Sequence, residues 1–506
     1  MAHKARKRKI VAHTQANSMS FSGYKIYTIK KNTTFAPMRR KKKPLFQDIE
    51  IIDMGAKAKA VGKAPDGRVI FVPFLAPGDV ADVQVIKKRK AYYEARVVSL
   101  TKQSELRTEP ACDYFGICGG CKLQHIDYQH QIRFKQNEVE NNLIRLGKLT
   151  LPEDVSPIMA SPEIYNYRNK MEFSFSARRW LTPDEIQNAD AITDREGLGF
   201  HIAGMWDKVL DISECHLQQA PSNAVRNAVK SFALQHHIPF FDPREKTGLL
   251  RTLMIRNTSI GEWMVVLQIY KDETGQIHAL LQHLKERFPQ ITSLQYIVNE
   301  KDNDSFYDQE VVLFHGRDYI EEKWEGLTYR ISAKSFFQTN SAQALRMYQK
   351  VREYAGIQPH ETVYDLYTGT GSIAQFVARD AHKVIGVESV PEAIADAQKN
   401  AKLNGIENVT FVVGDMKEVF TKSFIEKHGK ADVVITDPPR DGMHAKVVEN
   451  LLFLAPERIV YVSCNSATQA RDLALMKHQY KIEKMQPVDM FPHTHHVENI
   501  VLLTKK

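Results

Sequence analysis

The sequence predicts a mixed α/β protein in which a doubly wound α/β domain at the C-terminus follows a small β-barrel and a central α+β domain. Residues 336–506 alternate apolar strands with helical stretches, which is the pattern of a mainly parallel sheet covered by helices. Residues 46–106 contain short strand-like runs between Gly and Pro turns, which is typical of an OB-like β-barrel. A chain of 506 residues exceeds one hydrophobic core, so about three domains are expected.

Residues 1–45 predict a disordered basic arm. Residues 1–47 contain 13 Lys and Arg and no Asp or Glu, whereas the whole chain has a net charge of +9. Such a segment has too few apolar residues to fold alone, and it attracts a phosphate backbone without reading its sequence. A solvated tail, an import signal, or an upstream extension of a chain that starts at Met38 are the other interpretations.

Composition argues against two classes of protein. No apolar run approaches the roughly 20 residues of a membrane span, and the N-terminus lacks the apolar stretch of a signal peptide. Five cysteines in 506 residues are too few for a secreted disulfide framework. We therefore expect a cytoplasmic protein with reduced thiols, available for metal binding or catalysis.

Four strands are predicted for the barrel. They are Ile49–Met54, Arg68–Val72, Asp79–Ile86 and Tyr92–Leu100. The last hairpin carries Lys87-Lys88-Arg89-Lys90 beside Tyr92 and Tyr93. Interleaved basic and aromatic residues suit nucleic acid, and a charged hairpin tip on an ordinary barrel is the other interpretation.

Residues 107–335 form the predicted central α+β domain, which contains a cysteine motif. Cys112, Cys118 and Cys121 have the spacing Cys-x5-Cys-x2-Cys, and Cys215 is the natural fourth ligand. From this spacing, structural zinc and an iron–sulfur cluster are equally compatible, and a redox Cys-x-x-Cys pair is a weaker third interpretation. Residues 127–146 have the apolar spacing of one amphipathic helix.

A glycine-rich loop follows the first strand of the C-terminal domain. Val363–Leu366 runs into Tyr367-Thr368-Gly369-Thr370-Gly371-Ser372, and a helix is expected from about Ile373. Glycines allow the backbone to approach a ligand closely at such a turn. Ala374 replaces the third glycine of the dinucleotide fingerprint, so a nucleotide without a pyrophosphate fits better.

Acidic residues follow the next three strands. Glu388 ends the second strand, Asp415 follows the third, and Asp437 follows the fourth in Asp437-Pro438-Pro439-Arg440. The carboxyl ends of parallel strands share one edge of the sheet, where Glu388 can accept both ribose hydroxyls and Asp415 an adenine amino group. Each acid alone would more often be a strand-end cap, but the series predicts an S-adenosylmethionine site. Arg440 stands where amino-group methyltransferases have an aromatic residue, which disfavours adenine N6 as the target.

The fifth cysteine indicates the reaction. Cys464 follows the strand Arg458–Val462, where an α/β sheet presents reacting groups. A thiolate beside a methyl donor suggests methylation of pyrimidine C5, because addition of the thiolate to C6 makes C5 nucleophilic. Loss of the C5 proton then requires a base, and Glu498 is the best candidate. RNA cytosine-C5 methyltransferases typically use two cysteines, so the absence of a second one in this half favours uracil.

At these motifs the chain resembles the RNA uracil-C5 methyltransferase family over roughly residues 47–506. The motifs that carry the resemblance are Ser335–Asn340, Asp365–Gly371, Asp437–Gly442, Tyr461–Asn465 and His496–Asn499. The resemblance implies Cys464 as nucleophile and Glu498 as base. The other residues that it places around the cofactor and the target base are Gln338, Tyr367, Ser372, Glu388, Asp415 and Asp437. The family often has cysteine where Thr368 stands, and we expect no loss of activity from this difference.

The resemblance also implies a TRAM-like barrel and a [4Fe–4S] cluster on Cys112, Cys118, Cys121 and Cys215. The Cys-x3-Cys-x2-Cys spacing of radical S-adenosylmethionine enzymes is absent, which favours a structural or RNA-facing cluster. Barrel and cluster are typical of members that act on 23S ribosomal RNA. We therefore expect a monomer that uses S-adenosylmethionine and 23S rRNA. The alternatives are a tRNA uracil-C5 methyltransferase and a non-catalytic RNA-binding ribosome-assembly factor, and the intact Cys464 and Glu498 disfavour the second.

Overall fold

The computed structural model describes residues 43–506 except residue 154, residues 188–191, residue 193 and residues 272–274. Nearly all of the predicted basic arm, residues 1–42, lies outside the described residues. The chain forms two compact units, with the barrel and Trp180–Arg195 in the first. Ala111–Arg179 and Glu196–Lys506 make up the second. None of the helices in the described part of the chain is long and apolar enough to cross a membrane.

Five strands close the N-terminal barrel in the order β1-β2-β3-β5-β4. They are β1 (Leu45–Gly55), β2 (Lys59–Lys63), β3 (Val69–Pro73), β4 (Val80–Lys88) and β5 (Tyr92–Lys102). Alternate residues of each strand face inward, so that Ile70, Val72 and Val83 are fully buried. Tyr93 also lies inside the barrel, only 2% exposed, with the guanidinium of Arg68 4.1 Å from its ring centroid. Of the two tyrosines expected beside the basic hairpin, Tyr93 therefore presents no open ring face for stacking.

The central part of the second unit is a seven-stranded sheet in the order β12-β11-β10-β9-β6-β7-β8. Its strands are β6 (Lys170–Ser176), β7 (Gly197–His201), β8 (Val209–Asp211), β9 (Leu250–Asn257), β10 (Trp263–Ile269), β11 (Ile291–Val298) and β12 (Val312–Gly316). The helices of this region are α1 (Tyr128–Asn141), α3 (Ser222–Gln235) and α4 (Gln276–Arg287), and α2 (Pro183–Gln187) belongs to the first unit. A separate hairpin pairs β13 (Tyr319–Trp324) with β14 (Leu327–Ser332). Only β10 and β11 are parallel neighbours in the sheet, so the mixed α+β character predicted for this region is confirmed.

The C-terminal part is a second seven-stranded sheet in the order β17-β16-β15-β18-β19-β21-β20. Its strands are β15 (Thr362–Leu366), β16 (Lys383–Glu388), β17 (Val409–Val413), β18 (Val433–Thr436), β19 (Arg458–Ser463), β20 (Tyr480–Val488) and β21 (Glu498–Lys505). The helices are α5 (Ser341–Ala355), α6 (Ser372–Ala378), α7 (Pro391–Leu403), α8 (Met416–Val419), α9 (Lys422–His428), α10 (Ala445–Leu454) and α11 (Ser466–Met476). The first five strands are parallel and β21 is antiparallel to β19 and β20. Apolar side chains pack on both faces, and the predicted doubly wound fold is confirmed.

Helix α1 joins the cysteine region to the C-terminal sheet. Its N-cap is Asp127, whose carboxylate accepts a hydrogen bond from the backbone N–H of Gln129, and one π-turn extends it to Leu146. The buried ammonium of Lys135 lies 2.6 Å from a carboxylate oxygen of Asp489, in the connection between β20 and β21. Because a buried ion pair must be satisfied on both sides, this contact fixes the connection relative to α1.

Candidate active site

The glycine-rich loop leaves β15 at the switch point of the sheet, where β16 and β18 flank that strand on opposite sides. Tyr367, Gly369 and Gly371 all have positive φ. A Cβ on Gly371 would lie 2.7 Å from the ring of Phe411, so close packing requires glycine there. A Cβ on Gly369 would meet nothing within 4 Å, so this residue leaves its backbone open to the cavity in front of it.

Glu388 is anchored beside this loop. One carboxylate oxygen accepts a hydrogen bond from the N–H of Gly369 at 3.1 Å, and the other accepts from the N–H groups of Ser389 at 2.7 Å and Val390 at 3.0 Å. The hydroxyl of Ser389 also donates to that second oxygen, at 2.9 Å, so the acceptor position left for a ribose hydroxyl is on the oxygen that binds the N–H of Gly369. Asp415 is exposed and caps α8 through the N–H of Lys417 at 3.0 Å. The cap interpretation therefore holds for Asp415, although its side chain also faces the cavity.

Two further residues of the predicted set are held by residues that the sequence did not single out. The hydroxyl of Ser372 lies 2.8 Å from that of buried Tyr348, in α5. The backbone carbonyl of Gln338 accepts a hydrogen bond from the side-chain amide of Asn169 at 2.8 Å. Tyr348 and Asn169 are 24 and 169 residues from their partners, so no local pattern marks them.

The loop after β18 places Asp437 and Arg440 at the same cavity as the glycine-rich loop. Burial raises the pKa of Asp437 to about 7. The carbonyl of Arg440 accepts hydrogen bonds from the side chains of Asn465 at 2.9 Å and Thr468 at 3.1 Å. Its guanidinium lies 3.3 Å from a ring nitrogen of His496. These contacts hold Arg440 between the segment that contains Cys464 and the segment that contains Glu498.

Strand register brings Cys464 and Glu498 together. In the antiparallel pair of β19 and β21, Ser463 lies opposite Asn499, so the next position on each strand is Cys464 and Glu498. Directly opposed residues in such a ladder have Cβ atoms about 4.5–5.5 Å apart. The two residues are 34 positions apart in the sequence, and the pairing of the antiparallel last strand is what makes them neighbours.

Burial and nearby acids raise the pKa of both groups, which favours their neutral forms. Burial, Glu498 and Asp437 raise the pKa of Cys464 to about 11, and Arg440 opposes this shift. Burial and Asp437 raise the pKa of Glu498 to about 8, and Arg440 again opposes the shift. A further positive charge in the cavity would lower the pKa of all three acids, because it stabilises the thiolate and both carboxylates.

One cavity of about 1360 Å³ collects the predicted residues. Its lining includes Gln338, Tyr367, Ser372, Glu388, Asp415, Asp437, Cys464 and Glu498. A drug-sized ligand occupies a pocket of about 300–1,000 Å³, so this cavity has room for a nucleoside cofactor and a second group. Phe336, which is 66% exposed, offers a ring at its wall.

Thr368, where the family often has cysteine, has a local role. Its hydroxyl donates a hydrogen bond to the buried carboxylate of Asp365, at the end of β15. Burial nevertheless raises the pKa of Asp365 to about 7, and the Thr368 hydroxyl opposes the shift. A hydroxyl is a stronger hydrogen-bond donor than the thiol that the family often has at this position.

The other four cysteines surround a second cavity of about 350 Å³. Burial and the neighbouring Cys118, Cys215 and Cys112 together raise the pKa of Cys121 to about 12, so the four thiols are close enough to interact. A backbone N–H group also contacts one of these sulfurs: that of Gly120 donates to the sulfur of Cys118 at 3.4 Å. No group of three or more His, Cys, Asp or Glu side chains in the described residues has the arrangement that holds a metal ion. Four thiols around one cavity are a donor set that suits either a zinc ion or an iron–sulfur cluster.

Sequence comparisons identify relatives for both the barrel and the C-terminal region. The profile of the tRNA (Uracil-5-)-methyltransferase family matches residues 257–506, and that of the TRAM domain matches residues 46–98. An "uncharacterized RNA methyltransferase" of Porphyromonas gingivalis is 55% identical over 464 residues, covering 90% of this chain and 99% of that protein. A similarly described protein of Bacteroides thetaiotaomicron is 52% identical over 453 residues, covering 89% of this chain and 99% of that protein.

A solved structure is similar over most of the chain. The crystal structure of Pyrococcus abyssi tRNA (uracil-54, C5)-methyltransferase in complex with S-adenosyl-L-homocysteine has a TM-score of 0.70 and 29% sequence identity. The match covers 90% of this chain and 99% of that one. The TRAM match coincides with the barrel of β1–β5, as the sequence predicted.

Proposed function

The chain belongs to the uracil-C5 family of S-adenosylmethionine-dependent RNA methyltransferases, and we propose that it methylates C5 of a uridine in 23S ribosomal RNA through a covalent adduct on Cys464. The observation that carries the covalent mechanism is the register that places Cys464 beside Glu498, at the cavity of the glycine-rich loop. A thiol and a carboxyl are the two groups that this reaction requires of the protein.

The reaction begins with Cys464. Its sulfur, as thiolate, forms a bond to C6 of the uracil, and the electron pair of the C5–C6 double bond moves into an enolate. C5 then attacks the methyl group, so that one C–C bond forms while the donor loses its methyl. Arg440 lowers the pKa of Cys464 and of Glu498, so its guanidinium favours both the thiolate and the carboxylate.

Glu498 completes the reaction. Its carboxylate takes the C5 proton, the C5–C6 double bond reforms, and the bond between C6 and sulfur breaks to release the Cys464 thiolate. Its position next to Cys464 suits this role, because C5 and C6 are adjacent atoms of one ring. A pKa of about 8 makes Glu498 a stronger base than an ordinary carboxylate once it is ionised.

Cofactor binding is proposed for the other residues of the cavity. S-adenosylmethionine supplies an electrophilic methyl group and a positive charge, and that charge would lower the pKa values of Asp437, Glu498 and Cys464. Glu388 would hold the ribose and Asp415 would bind the adenine amino group. Tyr367, Ser372, Gln338 and Asp437 then position the donor and the uracil.

The four other cysteines are proposed to bind a [4Fe–4S] cluster. Cys112, Cys118, Cys121 and Cys215 line one cavity, and cluster thiolates are favoured by nearby backbone N–H donors such as that of Gly120. Burial without a bound metal raises the pKa of Cys121 and Cys215, so the cluster must also supply the charge that keeps these thiols ionised. Zinc is the rival ligand, and a metal analysis distinguishes the two.

The substrate is tested by methyl transfer. Purified protein is incubated with S-adenosylmethionine carrying a labelled methyl group and with transcribed 23S rRNA or tRNA, and the digested nucleosides are separated. Label in 5-methyluridine from 23S rRNA supports the proposal. Label in 5-methylcytidine would refute uracil as the target, and no label in any RNA would favour a non-catalytic assembly factor. Sequencing rRNA from a deletion strain for lost 5-methyluridine would then identify the uridine.

A tRNA substrate is the second candidate. The observation that favours it is the similarity to the Pyrococcus abyssi tRNA enzyme, which extends over 90% of this chain. Label in 5-methyluridine from tRNA alone would establish this candidate and refute 23S rRNA. The same assay therefore decides between the two substrates.

A further inference from the structure

Arg168 stands in the wall between the two cavities. It lines the cysteine cavity together with Thr339, whereas the adjacent Gln338 lines the cofactor cavity. The guanidinium carbon of Arg168 is 5.7 Å from the ring centroid of Phe491, which also lines the cofactor cavity. Arg168 therefore reaches from the cysteine side to the entrance of the site that contains Cys464.

The backbone on both sides of Arg168 is fixed to the active site. The hydroxyl of Tyr167 donates to the carbonyl of Pro492 at 3.0 Å, six residues before Glu498. The N–H of Asn169 donates to the carbonyl of Thr339 at 2.9 Å, next to Gln338. Arg168 itself donates its N–H to the carbonyl of Leu217 at 2.8 Å, two residues after Cys215. Hydrogen bonds to segments beside both cavities therefore fix the backbone around this arginine.

The guanidinium of Arg168 has no carboxylate partner in the described part of the chain. Its Nε lies 3.5 Å from the carbonyl of Lys170, and no hydrogen bond or ion pair with a described residue occupies either Nη. By contrast, Arg256 donates both Nη groups to the carbonyls of Ser332 and Ser335 at 2.7 Å. A half-buried guanidinium with two unused donors is prepared for a ligand with two acceptor oxygens.

The surroundings of Arg168 are positive. Lys170 and Arg256 lie nearby, and Glu172, which is 2.7 Å from the ammonium of Lys170, is the carboxylate that faces them. On the other side, Arg168 and Arg440 both act on His496; burial and these cations lower the pKa of His496 to about 3, so its ring stays neutral. The thiolates of the proposed cluster would face this charge from the cysteine cavity, and on the side of His496 the wall keeps a positive charge that a further anion would balance.

We propose that Arg168 binds a backbone phosphate of the RNA next to the target uridine, which places the neighbouring nucleotide at the wall between the two cavities. The inference rests on the proposed function for the identity of the ligand as RNA. Phosphate oxygens match the two Nη donors, and a second guanidinium, that of Arg440, lies 3.3 Å from a ring nitrogen of His496 at the cofactor cavity. The carboxylate of the cofactor is the other candidate anion, but Arg168 does not line the cofactor cavity.

The test compares Arg168→Gln and Arg168→Lys with Arg287→Gln. Arg287 is a matched control, because it also lies over a ring, Phe288 at 5.9 Å, and it ends α4 away from the residues of both cavities. A short fluorescein-labelled oligouridylate is titrated without cofactor, and anisotropy gives the dissociation constant between about 50 and 200 mM salt. Calorimetry with S-adenosylhomocysteine gives cofactor affinity separately.

Arg168→Gln should weaken oligouridylate binding about tenfold, as expected for loss of a charge-assisted hydrogen bond. The slope of log affinity against log salt should fall by about 0.7, the value for one phosphate on a single strand. Arg168→Lys should keep the slope and lose only part of the affinity, because it keeps the charge without the planar fork. Arg287→Gln should match the wild type, and cofactor affinity should be unchanged in all three variants.

Unchanged RNA affinity and slope in Arg168→Gln would overturn the inference. Weaker cofactor binding with normal RNA binding would also overturn it, because the anion would then be the cofactor carboxylate. If Arg168→Gln fails to fold, Arg168→Lys decides alone: wild-type RNA affinity in this variant would overturn the inference, because lysine lacks the planar pair of Nη donors. Binding is measured without methyl transfer, so failure of the proposed methylation would appear separately in the wild-type activity assay.

Discussion

Replacing Glu498 by Gln should stop the reaction after methyl transfer. The amide of the Glu498→Gln variant keeps the size of the side chain but cannot accept the C5 proton. The earlier steps do not need this carboxylate, and Glu498 in its ionised form raises the pKa of Cys464, so its replacement should ease formation of the thiolate. The expected product is a stable protein–RNA complex in which Cys464 remains bonded to C6 of an already methylated ordinary uridine.

The size of the effect follows from the role of the base. General bases contribute about 10²–10⁴ in rate, and no other carboxyl in the described residues shares the strand register with Cys464. Asp437 is also at the cavity and acts on both groups electrostatically, so it is the residue that could supply a residual rate. We therefore expect turnover to fall by at least about 10², with the covalent complex forming at close to the wild-type rate.

The complex is measured as an RNase-sensitive band of reduced mobility on a denaturing gel, and its formation should require the methyl donor. Glu483→Gln is the matched control, because Glu483 lies on the adjacent strand β20, is exposed, and pairs with Lys481 at 2.7 Å. It should show wild-type turnover and no trapped complex. Normal turnover of Glu498→Gln without a trapped complex would refute the assignment of the base. A folded variant with neither turnover nor complex would place the role of Glu498 before methyl transfer.

Four further predictions follow from the same structure. Cys464 alone among the five thiols should form an adduct with RNA containing 5-fluorouridine, because fluorine cannot leave as a cation; an adduct with Cys464→Ala would refute the nucleophile. Anaerobically purified protein should be brown and contain about four irons per chain, and the Cys215→Ser and Cys118→Ser variants should lose iron equally. Colourless protein that contains one zinc would refute the cluster. Because burial raises the pKa of Glu498 from 4.5 to about 8, ionisation destabilises the folded state increasingly as the pH rises from about 4.5 and fully above about 8. Glu498→Gln should therefore gain up to a few kcal/mol over wild type at pH 9 and much less at pH 5, and equal differences in thermal unfolding at both values would contradict this. Deletion of residues 1–42 should weaken the binding of target and unrelated RNA alike, reduce the salt dependence of that binding, and preserve the maximal rate. A changed choice of uridine would show instead that the arm recognises sequence. The N-terminal mass of the native protein is measured first, because a native start at Met38 would remove the basis of this test.

The sequence predicted the C-terminal sheet well because parallel strands buried on both faces are continuous apolar runs. The predicted strands Val363–Leu366 and Arg458–Val462 agree with β15 and β19 to within one residue, and a helix follows Gly371 as expected. The three strands between them end at or just before Glu388, Asp415 and Asp437, as the sequence indicated. The candidate site residues at strand ends could also be predicted from the sequence, because the carboxyl ends of parallel strands lie at one edge of such a sheet. Gln338 differs, because only the family resemblance indicated it and no periodicity surrounds it.

One strand of the barrel and one of the C-terminal sheet were not predicted, each for a physical reason. In the barrel, β2 (Lys59–Lys63) is short and contains Gly62, where a Cβ would lie 2.7 Å from a side-chain carbon of Ile49. Strand β20 mixes charged residues such as Lys481 with Pro487, and the pattern of a buried strand is lost at this edge of the sheet. The partners Tyr348 and Asn169 were also missed, because contacts over long sequence separations leave no local signal.

The contact between the cysteine region and the segment before Glu498 could not be read from the sequence either. The N–H groups of Lys122 and Leu123, directly after Cys121, both donate to the carbonyl of His493, at 2.8 and 3.0 Å. Gln131 in α1 also binds His493, accepting from its N–H at 3.1 Å and approaching its ring nitrogen at the same distance.

These contacts make the connection before Glu498 dependent on the cysteine region. Breaking one buried ion pair such as Lys135 with Asp489 costs on the order of 3–5 kcal/mol, so the connection is held firmly only while α1 stays in place. Helix α1 begins seven residues after Cys121, at Tyr128. A ligand that orders the four cysteines would thereby order the segment that presents the base. Loss of iron in Cys215→Ser should accordingly lower the maximal rate, although Cys215 is far in sequence from every reacting group, whereas the affinity for S-adenosylhomocysteine, which depends on the loop after β15, should change little.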